Sequence, residues 1–166
     1  MTHRSMHSKF LASTLVSALA LPSIAGAMVL AASPEAEAAV HQATCRIHAI
    51  EAKVEGDGKI PAELSFMAEE LQAPAFRMYK GFEVLDVQDF KLELGKVENK
   101  KFKSGHNLEL SLLTGGESKL ELHTKLMRSS TVLVDVDFGV QSNQIMLIPV
   151  HRGDTAVIFA YQCKKS

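Results

Sequence analysis

The chain has 166 residues, with 18 Lys and Arg against 19 Asp and Glu for a net charge of −1. That near-neutrality gives no basis for nucleic acid as its main partner, which would call for a basic face. Its two cysteines, Cys45 and Cys163, show no CxxC spacing, which removes the usual short zinc and redox motifs.

In chain order, the first segment carries Arg4 and Lys9 ahead of an uncharged apolar run from Phe10 to about Ala32, followed by small residues. This pattern predicts a secretory signal peptide over residues 1–38, cleaved after Ala36-Glu37-Ala38; Ala25-Gly26-Ala27 is a second possible site. An uncleaved anchor is the structural rival, because the run is long enough to span a bilayer. Pro22, the alanine content and the small-residue ending favour cleavage, after which no stable membrane insertion is expected. Cys45 lies too far beyond the run to be a lipid-bearing cysteine. Residues 39–166 are then the size of one domain with a single core, and no linker or repeat divides them.

The mature part opens with "CRIHAIEAKV", in which Ile47, Ala49 and Val54 form the apolar side of a short strand. After Gly56-Asp57-Gly58, Pro61 suits a first helical turn, and Leu64, Met67, Ala68 and Leu71 recur at three and four, predicting one amphipathic helix that ends before Pro74. The rest reads as strand and turn. Phe90, Leu92 and Leu94 alternate with Lys91 and Glu93; Leu108, Leu110 and Leu112 precede a Gly115-Gly116 turn, and Leu120 and Leu122 resume the alternation. In "STVLVDVDFGV", Val132, Val134, Val136 and Phe138 share one face and Asp135 and Asp137 the other, with "NQIMLIPV" and "DTAVIFAYQC" as two further strands. The predicted fold is mainly β, an antiparallel β-sandwich or partly open barrel with one N-terminal amphipathic helix. In an oxidising compartment Cys45 and Cys163 read as a disulfide, with two buried free thiols as the alternative. If the strand beginning at Cys45 pairs antiparallel with the strand ending at Cys163, the two fall side by side.

The stretch "RIHAIEAKVEGDGKIPAELSFMAEELQAPAFRMYKGFEVLD", with "LGK" and "NLELSLL" after it, resembles a family of small secreted β-rich proteins of myxobacteria and related bacteria. Ala75 stands where the family pattern has proline. The resemblance rests on apolar spacing; it implies fold and export, and no activity.

Chemistry-bearing candidates each have a plain alternative. Arg152-Gly153-Asp154, between two apolar strands, belongs on a hairpin tip, where it could engage a partner or simply make the turn. Lys96, Lys100, Lys101 and Lys103 form the one basic cluster, suited to anionic lipid or acidic polysaccharide, or to keeping a loop solvated. His41, His48, His106, His123 and His151 lack zinc-ligand spacing and are expected in solvent, while Asp135 and Asp137 share a wet strand face. Serines such as Ser104, Ser129 and Ser130 lie in turns without a recognisable base. No catalytic residue, metal or cofactor is predicted. The expected role is a periplasmic or secreted, non-catalytic binding or scaffolding module of the bacterial envelope, engaging an envelope or extracellular protein. The alternatives are a small apolar-ligand carrier lined by Phe82, Phe90, Phe138, Phe159 and methionines, or a hydrolase or metal enzyme built on His123 and neighbouring carboxylates.

Overall fold

The computed structural model describes residues 40–116 and 118–166. The predicted signal peptide and its cleavage sites lie outside the described residues. Within them, alternation of apolar and polar side chains produces eight strands: β1 Gln42–Lys53, β2 Gly81–Glu93, β3 Val97–Lys101, β4 His106–Gly115, β5 Lys119–Arg128, β6 Thr131–Gln141, β7 Ile145–Arg152 and β8 Thr155–Lys165. They form two antiparallel four-stranded sheets, ordered β2-β1-β8-β7 (sheet A) and β3-β4-β5-β6 (sheet B).

The predicted sandwich is therefore present, with open sheets. Its core takes Cys45, Ile47, Ala49, Phe159 and Tyr161 from sheet A and Leu108, Leu110, Leu112, Leu122 and Leu126 from sheet B, all fully buried. Each such leucine contributes roughly 2 kcal/mol relative to an exposed position. Aromatic rings lock the sheets edge to face: Phe102 on Phe159 at 5.4 Å and Phe138 on Tyr161 at 5.3 Å. Tyr161 also carries a hydroxyl into this core, where it meets Thr124 Oγ1 at 2.9 Å, so neither polar group is left without a partner.

Cys45 and Cys163 are directly opposed in the β1–β8 ladder and joined by a disulfide, with Cα atoms 4.1 Å apart. The side-by-side geometry expected from first and last strands pairing is what the register delivers.

Three expectations are corrected. The helix is shorter and tighter than predicted: Ala62–Met67 is 3₁₀ and only Ala68–Leu71, designated α1, is α-helical. No side chain caps either segment, and the three-residue step from Leu64 to Met67 suits a 3₁₀ turn. Its apolar residues are placed as expected, because Leu64, Met67 and Leu71 pack on Ile50, Ala52, Ile158 and Ala160 across the outer face of sheet A. That cover makes β1 and β8 apolar on both faces. Val54 lies past the end of β1 and is exposed.

The second correction concerns β6. Leu133 is an extra residue in the ladder, so Val134 opposes Leu126 while Val132 opposes Met127. Val132 thereby leaves the inward set of Val134, Val136 and Phe138, the face change that a one-residue bulge produces.

The third is histidine exposure. His48 and His106 are buried. His48 sits on the covered face of β1 with the Phe66 ring 5.2 Å away. His106 shares the inward phase of Leu108, Leu110 and Leu112 along β4.

A buried carboxylate fixes the crossing between the sheets. Asp86 accepts from Val87 N at 3.0 Å, Gln88 Nε2 at 3.1 Å and Lys103 N at 2.9 Å. Burial pushes its pKa up, but these three donors outweigh burial and hold it below the ordinary carboxylate value. Asp86→Ala is expected to cost about 1 to 3 kcal/mol at pH 7, read as a lower urea midpoint, because it leaves the donors unpaired. The part due to charge is present above the ordinary carboxylate range and vanishes as pH falls through the depressed native value.

Candidate functional site

Arg152 and Thr155 close the β7–β8 hairpin, leaving Gly153-Asp154 as a two-residue turn. Gly153 has φ +60°, and a Cβ there would meet nothing within 4 Å, so backbone conformation alone demands glycine. Asp154 is exposed, and its carbonyl accepts from Val54 N at 3.2 Å.

Arg152 is turned inward, with one guanidinium nitrogen 2.7 Å from His106 Nε2. A guanidinium only donates, so Nε2 accepts and the ring proton lies on Nδ1, which donates to Ser104 Oγ at 2.9 Å. Burial first, and then the charges of Arg152 and Arg128, push His106 down to about 4. The tripeptide thus presents one free charge, that of Asp154, and commits the other to a buried imidazole.

This arrangement also corrects the expectation that Ser104 has no base nearby, since an imidazole lies in hydrogen-bond contact with it. With Nδ1 already protonated the ring cannot take the serine proton, and the pair is not an activated nucleophile. Sequence reasoning placed His106 in solvent, although its two-residue spacing from Leu108 carried the signal of a buried position.

On the outer face of sheet B, His123 stands between two carboxylates. Its Nδ1 is 2.7 Å from Asp137 Oδ1 and its Nε2 is 3.4 Å from Asp135 Oδ1. Cross-strand register brings them together, with His123 opposite Asp137 and Lys125 opposite Asp135. Glu121 shares this face but pairs with Lys119. Among the described residues no group of three or more His, Cys, Asp or Glu is arranged to hold a metal ion.

The lysine cluster is divided. Lys96 pairs with Glu93 at the β2–β3 turn, and Lys100 reaches across to the Asp89 carbonyl with its ammonium 5.5 Å from the centre of the Phe90 ring. Lys101 faces solvent, and the backbone N–H of Lys103 is bound to Asp86. The aromatic residues suggested for an apolar pocket are likewise separated. Phe90 and Phe159 fill the inter-sheet core with Phe138 against it, whereas Phe82 packs outside sheet A.

The feature that stands out is a sheet edge. Strand edges present unpaired backbone groups, and natural sheets blunt them with brevity, charge or proline. β3 has 5 residues and carries Lys100 and Lys101; β7 contains Pro149; β2 is bulged at Leu85 and studded with Glu83, Asp89, Lys91 and Glu93. β6 has 11 residues and no proline; past its bulge at Leu133 the ladder is regular from Val134 to Gln141, with Asp135 and Asp137 its only charged residues. Val132, Leu133 and Val136 are 47%, 37% and 42% exposed. Val136 belongs to the inward phase, opposite the buried Thr124, and its exposure marks where the sandwich gapes along this edge. Bordering the gap, Met146, Ile148 and Val150 of β7 are only half-buried. The edge thus offers backbone hydrogen bonds, an apolar row on one side and Asp135 and Asp137 on the other. No protein-family model, curated protein or solved structure matches this chain.

Proposed function

We propose that the protein is an exported, non-catalytic binding or scaffolding module, periplasmic or secreted, that lends the free edge of β6 to an extended strand of an envelope or extracellular protein partner. The observation that carries this reading is the regular, proline-free edge from Val134 to Gln141 with Val136 exposed beside it. Strand addition draws affinity from main-chain hydrogen bonds and selectivity from alternate side chains. A complementary strand places apolar residues against Val134, Val136 and Phe138 and basic residues against Asp135 and Asp137. Export is supported by the leader pattern at the front of the chain and by the Cys45–Cys163 disulfide, a bond that persists in oxidising compartments.

A synthetic peptide alternating valine and lysine is the probe. Its addition is expected to slow amide hydrogen exchange along residues 134–141. Val136→Lys, which places a charge beside the edge, is expected to abolish this protection while changing stability by no more than about 0.5 kcal/mol. Protection that appears elsewhere, or that survives Val136→Lys, would overturn the reading.

A further inference from the structure

The outer face of sheet A is only half covered. β1 lies between β2 and β8, so its outward residues define three cross-strand rows: Lys91–Thr44–Lys164, Asp89–Arg46–Gln162 and Val87–His48–Ala160. The helical segment reaches the third row, where the Phe66 ring lies tilted against His48. The first two rows stay open and floor a concavity of about 440 Å³, bordered by Asn143 of the β6–β7 turn. Asn143 adopts φ 66° there, and its backbone N–H is bound to the Cys163 carbonyl at 2.8 Å.

Charge in these rows is unevenly satisfied. Arg46 is held by Asp89 through two contacts, Nε to Oδ1 at 2.7 Å and a terminal nitrogen to Oδ2 at 3.2 Å, and this clamp fixes the guanidinium beside the first row. Lys91 and Lys164 flank Thr44 and have no carboxylate partner among the described residues. Like charges on either side of one residue repel. Between them, Thr44 Oγ1 is sealed from solvent and has no hydrogen-bond partner, and His48 Nδ1 on the same strand face is also unpartnered. An unpaired buried hydroxyl costs stability, and here it coincides with two uncompensated ammonium groups.

We infer that this concavity is a seat for an oxyanionic group, a phosphate, sulfate or carboxylate, gripped by Lys91 and Lys164 with Thr44 donating from below. One anionic oxygen between the lysines neutralises their repulsion and satisfies the hydroxyl. The concavity is already open, so a turn of the Thr44 side chain about χ1 is enough to bring its hydroxyl to the anion, and the sheet backbone need not move. Asp89, the one carboxylate among these rows, is occupied by Arg46 and so does not compete for the lysines. The seat lies on sheet A and the β6 edge on sheet B, so the two readings stand or fall separately.

The test is an NMR titration of the full chain at low salt with inorganic phosphate and, separately, with a short uronic acid oligosaccharide. Saturable shifts at Thr44, Lys91 and Lys164 are expected, weakened by added salt. The Lys91→Met/Lys164→Met double variant should lose them with its thermal stability kept, and Thr44→Val should weaken binding by about fivefold, the share of one hydrogen bond. Equal binding of both probes identifies a seat for a free ion; tighter binding of the oligosaccharide identifies the seat as one contact of a longer acidic ligand. Absence of saturable shifts with either probe, or shifts that persist in the double variant, would overturn the inference.

Discussion

Replacing Cys45 and Cys163 together by alanine is expected to lower the unfolding free energy by about 4 to 5 kcal/mol. The bond closes a loop with a sequence separation of 118, and the chain-entropy account of cross-links assigns a loop of that length close to this value. Packing adds to it. Both residues are among the most deeply buried in the inter-sheet core, so the alanines also leave a void between the sheets. The check is a urea titration of oxidised wild type against the double variant. A difference below about 1 kcal/mol would mean that the unfolded chain already holds its ends together, contrary to the chain-entropy account.

Acidification from pH 6.5 to 4 is expected to weaken the fold by roughly 3 kcal/mol through His106 alone. The native imidazole is held down to about 4 from an ordinary 6.5, whereas the unfolded chain protonates at the ordinary value. Well above pH 6.5 the ring is neutral in both states and its contribution is complete. Across the window the unfolded state binds the extra proton, so stability falls as pH falls, and the loss levels off once the pH is well below about 4. The structural cause is that a second proton would have to sit on Nε2, facing the Arg152 guanidinium in a site closed to water. His106→Asn should flatten the pH dependence of the urea midpoint across that window, and Arg152→Met should reduce it. A wild-type slope unchanged in His106→Asn would show that other groups carry it.

Much of this was legible in the sequence where a single period decided the outcome. Leu108, Leu110 and Leu112 face inward as their spacing demands, and the β-rich class and the cysteine pairing follow from local pattern and compartment chemistry. Legibility failed where a residue's setting depends on partners distant in the chain. Thr44, Lys91 and Lys164 become neighbours only because β1 lies between β2 and β8. Arg152 looked like a solvent charge because nothing near it in sequence shows His106 waiting across the core. The exposed β6 edge is invisible for a related reason: Val136 has the spacing of a core residue, and its exposure reflects where two sheets part. The bulge at Leu133 leaves alternation looking intact in the text of the sequence while reversing it in space.

The central ladder of sheet A joins strands from opposite ends of the described chain, β1 to β8, and this sets an order of events as the polypeptide is made. Sheet B grows from strands that follow one another, so its hairpins can close while synthesis continues. Sheet A has no such freedom: β1 must wait, one side unpaired, until β2 to β7 have been made. β8 is therefore the keystone of the molecule. Until it arrives β1 lacks its second neighbour, β7 lacks its one ladder partner, and Cys45 has no cysteine to join.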